Sequence, residues 1–142
     1  MEPPKRIKIV LADDDALDRE MFIEALNELP VAYDLKEVIN GKELTTYLNK
    51  CQNNYPDCIF LDLNMPLVDG REALREIKNS EKLKCIPVFM LSTSSSVLDI
   101  NFCYKHGANL FFVKPSDYGQ LVKTLQNIME LFGTTIVTPY IG

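Results

Sequence analysis

Four short runs of almost unbroken apolar residues, Ile7 to Ala12, Cys58 to Leu63, Val88 to Ser92 and Leu110 to Lys114, recur along the chain with longer amphipathic stretches between them. A run of this length without polar alternation has no face to give to water, so as a strand it must be covered on both sides. Strands of that kind, alternating with helix-length segments, make a parallel sheet wrapped by helices, and all four are expected at or near its centre. A fifth strand, from about Asp34 to Val38, mixes Leu35 and Val38 with Lys36 and Glu37. It reads as an edge, and the turn pair Asn40-Gly41 follows at once.

Five helices fill the intervals. The first starts near Ala16 behind Asp15 as its cap, carries Met21, Phe22, Ala25, Leu26 and Leu29 on one stripe, and is stopped by Pro30. The second carries Leu44, Tyr47, Leu48 and Cys51; the third follows the turn Asp69-Gly70 with Ala73, Leu74 and Ile77. The fourth runs from about Val97 to a cationic last turn, Lys105-His106, closed by Gly107. That dipole contact accounts for His106, so phosphoryl relay through it is not expected. The fifth has Ser116 as its cap candidate and a stripe of Leu121, Val122, Leu125, Ile128, Met129 and Phe132 that ends at Gly133, leaving 133–142 as a C-terminal tail. At 142 residues and 46% hydrophobic content, the chain is expected to form one domain with a core over about residues 7 to 132.

Fifteen Lys and Arg against twenty Asp and Glu give a formal charge of -5, which opposes attraction to nucleic acid or anionic membrane. No segment after the fifth helix is expected to read DNA. Cys51, Cys58, Cys85 and Cys103 form no C-x-x-C pair and read as reduced thiols. MEPPKRIK lacks the apolar core of a signal peptide, and no run reaches membrane-spanning length, so a cytoplasmic location is expected.

Ligands of open α/β sheets gather beyond the carboxyl ends of the strands. Here those ends carry Asp13 and Asp14 after IKIVLA, Asp62 within CIFLDLNMP, Ser92 after PVFML and Lys114 in LFFVKP. Three carboxylates brought within a few ångströms resist joint ionisation unless a cation neutralises them. Mg²⁺ suits the set, because it takes one or two carboxylates, keeps waters and accepts a phosphate oxygen; the Asn64 backbone carbonyl can add a ligand. Phosphoryl transfer needs mainly positioning and charge neutralisation, and a carboxylate can be the acceptor. Asp62 takes that role, Lys114 pairs with it or its phosphate as a point charge, and the Ser92 hydroxyl donates to a phosphoryl oxygen. Singly, the run Asp13-Asp14-Asp15 reads as solvated loop charge, Asp57 and Asp69 as turn residues, and Ser92 to Ser96 as a loop without phosphate-cradling glycines. The order and spacing of the motifs together argue for a site.

LADDDA, FLDLNMPLVDG, PVFMLSTS and GANLFFVKP, in that order, resemble the successive signatures of CheY-like response-regulator receiver domains. The resemblance covers about residues 7 to 132, with Ser92 thirty and Lys114 fifty-two residues past Asp62. It implies a flavodoxin-like sheet of five parallel strands in the order 2-1-3-4-5, flanked by five helices. It further implies Asp13 and Asp14 as the acidic metal pair, Asp62 as phosphoacceptor, Ser92 as switch hydroxyl, and Lys114 before a proline, Pro115, that is often cis. Phe111 fills the place of the switch aromatic, a tyrosine in many members, and here lacks the hydroxyl. Phe111 and Phe112 should face opposite sides of their strand, Phe111 as the exposed switch and Phe112 as plain core.

The implied function is a single-domain response regulator of a two-component phosphorelay: a signalling domain that catalyses only its own phosphoryl transfer and dephosphorylation. A histidine kinase donates to Asp62, a downstream protein reads the result, and the fourth helix, fifth strand and fifth helix offer a face for a homodimer. STSSSVLDI, CYKHGANLFFVKP and the NG-x-EL stretch at the second helix look most like stand-alone regulators associated with bacterial phytochromes. Two rivals fit less well. A hydrolase of the haloacid dehalogenase type carries its nucleophile in D-x-D on the first strand, whereas Asp62 is followed by Leu63-Asn64. A receiver-fold scaffold that binds without phosphorylation would be expected to lack the acidic pair, the acceptor or the lysine, and none is missing.

Overall fold

The computed structural model describes residues 6–137, in which strands and helices alternate. Strands β1 (Ile7–Ala12), β2 (Tyr33–Val38), β3 (Cys58–Asp62), β4 (Val88–Ser92) and β5 (Leu110–Val113) are all parallel and lie in the order β2-β1-β3-β4-β5. Helices α1 (Ala16–Asn27), α2 (Gly41–Asn49), α3 (Gly70–Asn79), α4 (Val97–Lys105) and α5 (Tyr118–Val137) cover them. This is the expected architecture and order.

The two-residue period of the strands sorts the core into two layers. Ile7, Ile9, Leu11, Cys58, Phe60, Phe89 and Leu91 pack with Phe22, Ala25 and Leu26 of α1 and with Leu121, Leu125, Ile128 and Met129 of α5. The alternate residues Val10, Ala12, Ile59, Leu61, Val88 and Met90 pack with Leu44 and Leu48 of α2, Ala73, Leu74 and Ile77 of α3, and Cys103 of α4. Phe60 anchors the first layer, with its ring edge-on to Phe22 at 4.9 Å and tilted against Phe89 at 5.1 Å. Each such aromatic pair adds about 0.5–1.5 kcal/mol beyond burial.

Most helix starts are chemically fixed. Asp15 Oδ1 accepts from the Asp18 N–H at 3.1 Å, and Asn40 Oδ1 from the Glu43 N–H at 2.7 Å while Glu43 Oε1 accepts from the Ile39 N–H. Asp69 Oδ1 accepts from the N–H groups of Arg71 and Glu72, so Asp69 is the cap of α3 rather than a simple turn residue. Asp57 ties its loop to β1 by accepting from the Lys8 N–H at 2.8 Å. Gly107, at φ +98°, closes α4 in the left-handed region that glycine enters without strain. All four cysteines are free thiols.

Four expectations need correction. First, the apolar run of β5 argues for a place at or near the centre, but β5 forms the edge opposite β2, as the order implied by the family resemblance has it. Its apolar run reports cover above and below, from Phe111 on one layer and Phe112 on the other, and says nothing of in-plane neighbours. Second, Ser116 does not cap α5: Asp117 Oδ2 accepts from the Gln120 N–H at 3.1 Å. Third, α5 passes through Gly133 to Val137, since a lone helical glycine costs only about 1 kcal/mol against alanine; the rest of the tail, 138–142, lies outside the described residues. Fourth, no peptide bond among the described residues is cis, so Pro115 follows Lys114 in the ordinary trans form.

Gly70 bears directly on the acceptor strand. A Cβ there would lie 2.2 Å from the Asp62 carbonyl oxygen and 2.7 Å from Leu63 Cα, both backbone atoms that cannot step aside. Gly70→Ala is therefore expected to cost at least about 2 kcal/mol in urea denaturation, in the range of core overpacking; an unchanged midpoint would contradict this close approach.

A buried carboxylate cluster at the carboxyl edge of the sheet

Strand register brings the charges together. Asp13, Asp62 and Lys114 continue the alternation of Leu11, Phe60 and Phe112, so all three emerge on the α1–α5 layer. Backbone bonds extend the ladders one step further to hold them: the Asp13 N–H donates to Val38 O at 3.0 Å, Leu63 N–H to Leu91 O at 2.9 Å, and Lys114 N–H to Ser92 O at 2.7 Å. Each strand end then makes the same local turn. The side chains of Asp13, Asp62 and Ser92 each accept from the N–H two residues on, at Asp15 (2.9 Å), Asn64 (3.3 Å) and Ser94 (3.0 Å).

The result is a concentrated negative site. Carboxylate oxygens of Asp13, Asp14 and Asp62 lie within 4.8 Å of one another, with Asp13 and Asp62 buried and Asp14 open to solvent. Such an all-oxygen donor set fits a hard divalent cation. Lys114 Nζ answers it from the other side, 2.8 Å from Asp13 Oδ2, 2.8 Å from Asp18 Oδ2 and 3.4 Å from Asp62 Oδ2. Burial pulls the Lys114 ammonium down, but the bonds to Asp13 and Asp18 and the field of Asp62 and Asp13 overcome it, so its pKa is raised. Burial pushes the Asp62 carboxyl up to about 6; Lys114 and the Asn64 N–H pull against that rise, and Asp13 adds to it.

Asn64 itself is exposed. Ser92 is fully buried on the opposite layer, the one that also holds Phe111, since Met90 pairs with Phe111 and Ser92 with Val113 in the ladder. Phe111 and Phe112 do face opposite layers, but each is half-buried, so Phe112 is not the plain core residue expected beside an exposed Phe111. The edge position of β5 withholds cover from both rings. His106 caps the far end of α4, its ring tilted against that of Phe102 at 4.3 Å, and takes no part in the site.

Three polar partners were not visible in the sequence. Asp18, ninety-six residues from Lys114, reads as an ordinary first-turn acid of α1. Arg71 at the start of α3 donates to Asp99 Oδ1 in the first turn of α4 at 2.6 Å, and the Tyr104 hydroxyl accepts from the Phe111 N–H at 2.9 Å, satisfying the open edge of β5. Only the acid in a first turn leaves any local signal.

A model of the response regulator receiver domain matches residues 9–126. The chain is 33% identical to response regulator Rcp1 of Synechocystis, over 96% of this chain and 95% of that protein. Among solved structures, the phosphorylated cyanobacterial phytochrome response regulator RcpA superposes with a TM-score of 0.85 at 37% identity, covering 92% of this chain and 96% of that one. The Mn²⁺-bound form of Rcp1 gives a TM-score of 0.81 at 31% identity, over 89% and 94% of the two chains.

The raised pKa of Asp62 makes a signed prediction. An unfolded Asp titrates near 3.9, so between roughly pH 4 and 6 the folded chain holds a proton that the unfolded chain has lost. Stability owed to that proton is complete below about pH 4 and disappears as pH rises through about 6. Without divalent cation, Asp62→Asn should therefore gain on the unsubstituted chain over this window, by on the order of 1–3 kcal/mol at neutral pH. Urea denaturation of both at pH 4 and 7 checks it; a pH-independent difference would refute it.

Proposed function

The chain belongs to the response regulator receiver family of two-component signalling, and we propose that within it Asp62 is the residue that accepts a phosphoryl group from a histidine kinase. The observation that carries this reading is the gathering of Asp13, Asp14 and Asp62 within 4.8 Å, with the Lys114 ammonium 3.4 Å from Asp62 Oδ2. Asp62 is the member of the trio at the end of the buried central strand β3, where its carboxylate is desolvated.

Asp13, Asp14, Asp62 and the Asn64 backbone carbonyl would hold the divalent cation, Mg²⁺ by its preference for oxygen ligands. When bound, the ion neutralises charge on the carboxylates and on the transferring group. A carboxylate oxygen of Asp62 attacks the phosphorus of a phosphohistidine; the O–P bond forms as the N–P bond breaks, and the leaving imidazole keeps the electron pair and takes a solvent proton. Lys114 stabilises charge on the phosphoryl oxygens, and the Ser92 hydroxyl donates to one of them. Water later attacks phosphorus, releasing inorganic phosphate and restoring the carboxylate.

Phosphorylation replaces the single negative charge of the Asp62 carboxylate with a phosphoryl group of about -1.5 to -2. Drawing Ser92 toward it opens space on the layer that Ser92 shares with Phe111, so the ring turns inward and the face of α4, β5 and α5 changes. Exposed Val97, Leu98, Tyr104 and Val113 supply apolar area on that face for a second copy or a downstream protein. The phytochrome regulators among the similar structures, RcpA and the bacteriophytochrome response regulator AtBRR at 35% identity, support a phytochrome-type kinase as donor. No helix among the described residues is long and apolar enough to cross a membrane, and with the charge of -5 this supports a cytoplasmic protein that does not bind nucleic acid directly.

Incubation with Mg²⁺ and acetyl phosphate should label the chain with a base-labile acyl phosphate, and Asp62→Asn should abolish it. Undiminished labelling of that variant would exclude Asp62. Asp14→Ala should weaken Mg²⁺ binding in titration while leaving the domain folded. With beryllofluoride as phosphate mimic, self-association or kinase affinity should change about five- to 150-fold, the usual span of coupling energies, and Ser92→Ala should shrink that change. Identical affinities in all four states would place the readout elsewhere.

A further inference from the structure

Lys114 has three donors and spends them on three carboxylates whose fates differ. On the reading above, Asp13 passes to the divalent cation, and the charge of Asp62 moves outward onto the phosphoryl group. Asp18 does neither: it lies outside the trio of metal-competent oxygens, yet its Oδ2 is as close to Nζ, 2.8 Å, as that of Asp13. Of the three partners it alone is claimed by neither the cation nor the phosphoryl group, so its pairing with Nζ can last from the resting to the phosphorylated state.

The placement is firm. The Asp18 N–H is fixed by Asp15 Oδ1 at the start of α1, while the carboxylate crosses from α1 to the end of β5. Favourable interaction with the α1 dipole accounts for an acid in this turn, but not for its direction onto the Lys114 ammonium, which is the only basic group in ion-pair range of Asp18 among the described residues. This pair, with Asp13 and Ser116, lines a cavity of about 150 Å³ whose remaining walls are apolar, Phe22, Leu91 and Phe112 among them. Asp13 is the other carboxylate on this cavity within 2.8 Å of Nζ, so once a cation takes Asp13, Asp18 is left to keep the lysine stem from swinging over the apolar walls.

We propose that Asp18 is a positioning residue for phosphoryl transfer: it retains the Lys114 ammonium beside Asp62 once the cation has taken Asp13. The inference rests on Asp62 being the acceptor, and deepens that reading. A long flexible lysine stem gains most from such an anchor, because its rotamer freedom is otherwise lost only when the phosphoryl group arrives.

The test uses the full chain with Mg²⁺ and acetyl phosphate. Asp18→Ala should lower the maximal phosphorylation rate and the affinity for beryllofluoride each about tenfold, within the coupling range of contacting charged groups. Mg²⁺ affinity should move by less than about threefold, since no metal ligand is lost, and Asp18→Glu should recover most of the rate where Asp18→Asn does not. In a Lys114→Ala background, Asp18→Ala should have no further effect on beryllofluoride affinity. Equal or faster phosphorylation of Asp18→Ala, or a loss that persists undiminished without Lys114, would overturn the inference while leaving Asp62 as acceptor. Failure of the unsubstituted chain to label would remove the acceptor assignment and this inference together.

Discussion

Charge imbalance at one buried point governs this molecule. Asp13, Asp14 and Asp62 converge within 4.8 Å, and a single ammonium, that of Lys114, sits among them. Carboxylates do not approach in this way by their own preference; desolvation and mutual repulsion both oppose it. The convergence is imposed by the hydrophobic layers, whose burial of Phe60, Phe89, Leu26 and Leu74 fixes the strands that carry the charges. Stability elsewhere thus sustains a site that is strained electrostatically when empty of cation, the usual condition of a site prepared for a charged ligand.

The scaffold limits how that repulsion can be relieved. Asp13, Asp62 and Ser92 are each clasped by the N–H two residues on, and the ladder bonds at Asp13, Leu63 and Lys114 leave the backbone little freedom at the three strand ends. Close contact of Gly70 with the Asp62 carbonyl closes the remaining side. Relief must come from protonation, from a cation, or from motion of side chains and the β4–α4 loop. The first two neutralise charge in place, whereas the third carries a signal outward.

Much of this was legible because it is periodic or local. Unbroken apolar strands announce two-sided cover, and polar residues closing those strands must meet at one edge once the strands are parallel. Asp15 and Gly107 declare themselves because caps act within a turn of their own position. What stayed hidden is what depends on in-plane neighbours or on distant pairs. A strand covered on both faces reads the same at the centre and at the edge, which is why β5 misled. Ser116 and Asp117 are equally competent caps by residue type, and nothing local chooses between them, whereas in the fold it is Asp117 that accepts from the Gln120 N–H. Asp18 meets Lys114 across the sheet, where no pattern in either segment points to the other.

Helix α4 stands apart from its neighbours. Where α1, α2, α3 and α5 begin on an Asp or Asn side chain that grips the first turn, Ser96 at the head of α4 makes no such bond. Of its residues only Cys103 is buried, and Leu98 is 82% exposed. Two polar contacts near the surface, Arg71 to Asp99 and Phe111 N–H to the Tyr104 hydroxyl, hold it in place. The domain is accordingly a stiff body with one compliant element. Elements in series carry the same load and the softest yields most, so strain at the carboxyl edge is expressed as displacement of α4, and a change worth only a few kcal/mol can re-seat this helix while the remaining helices stay still.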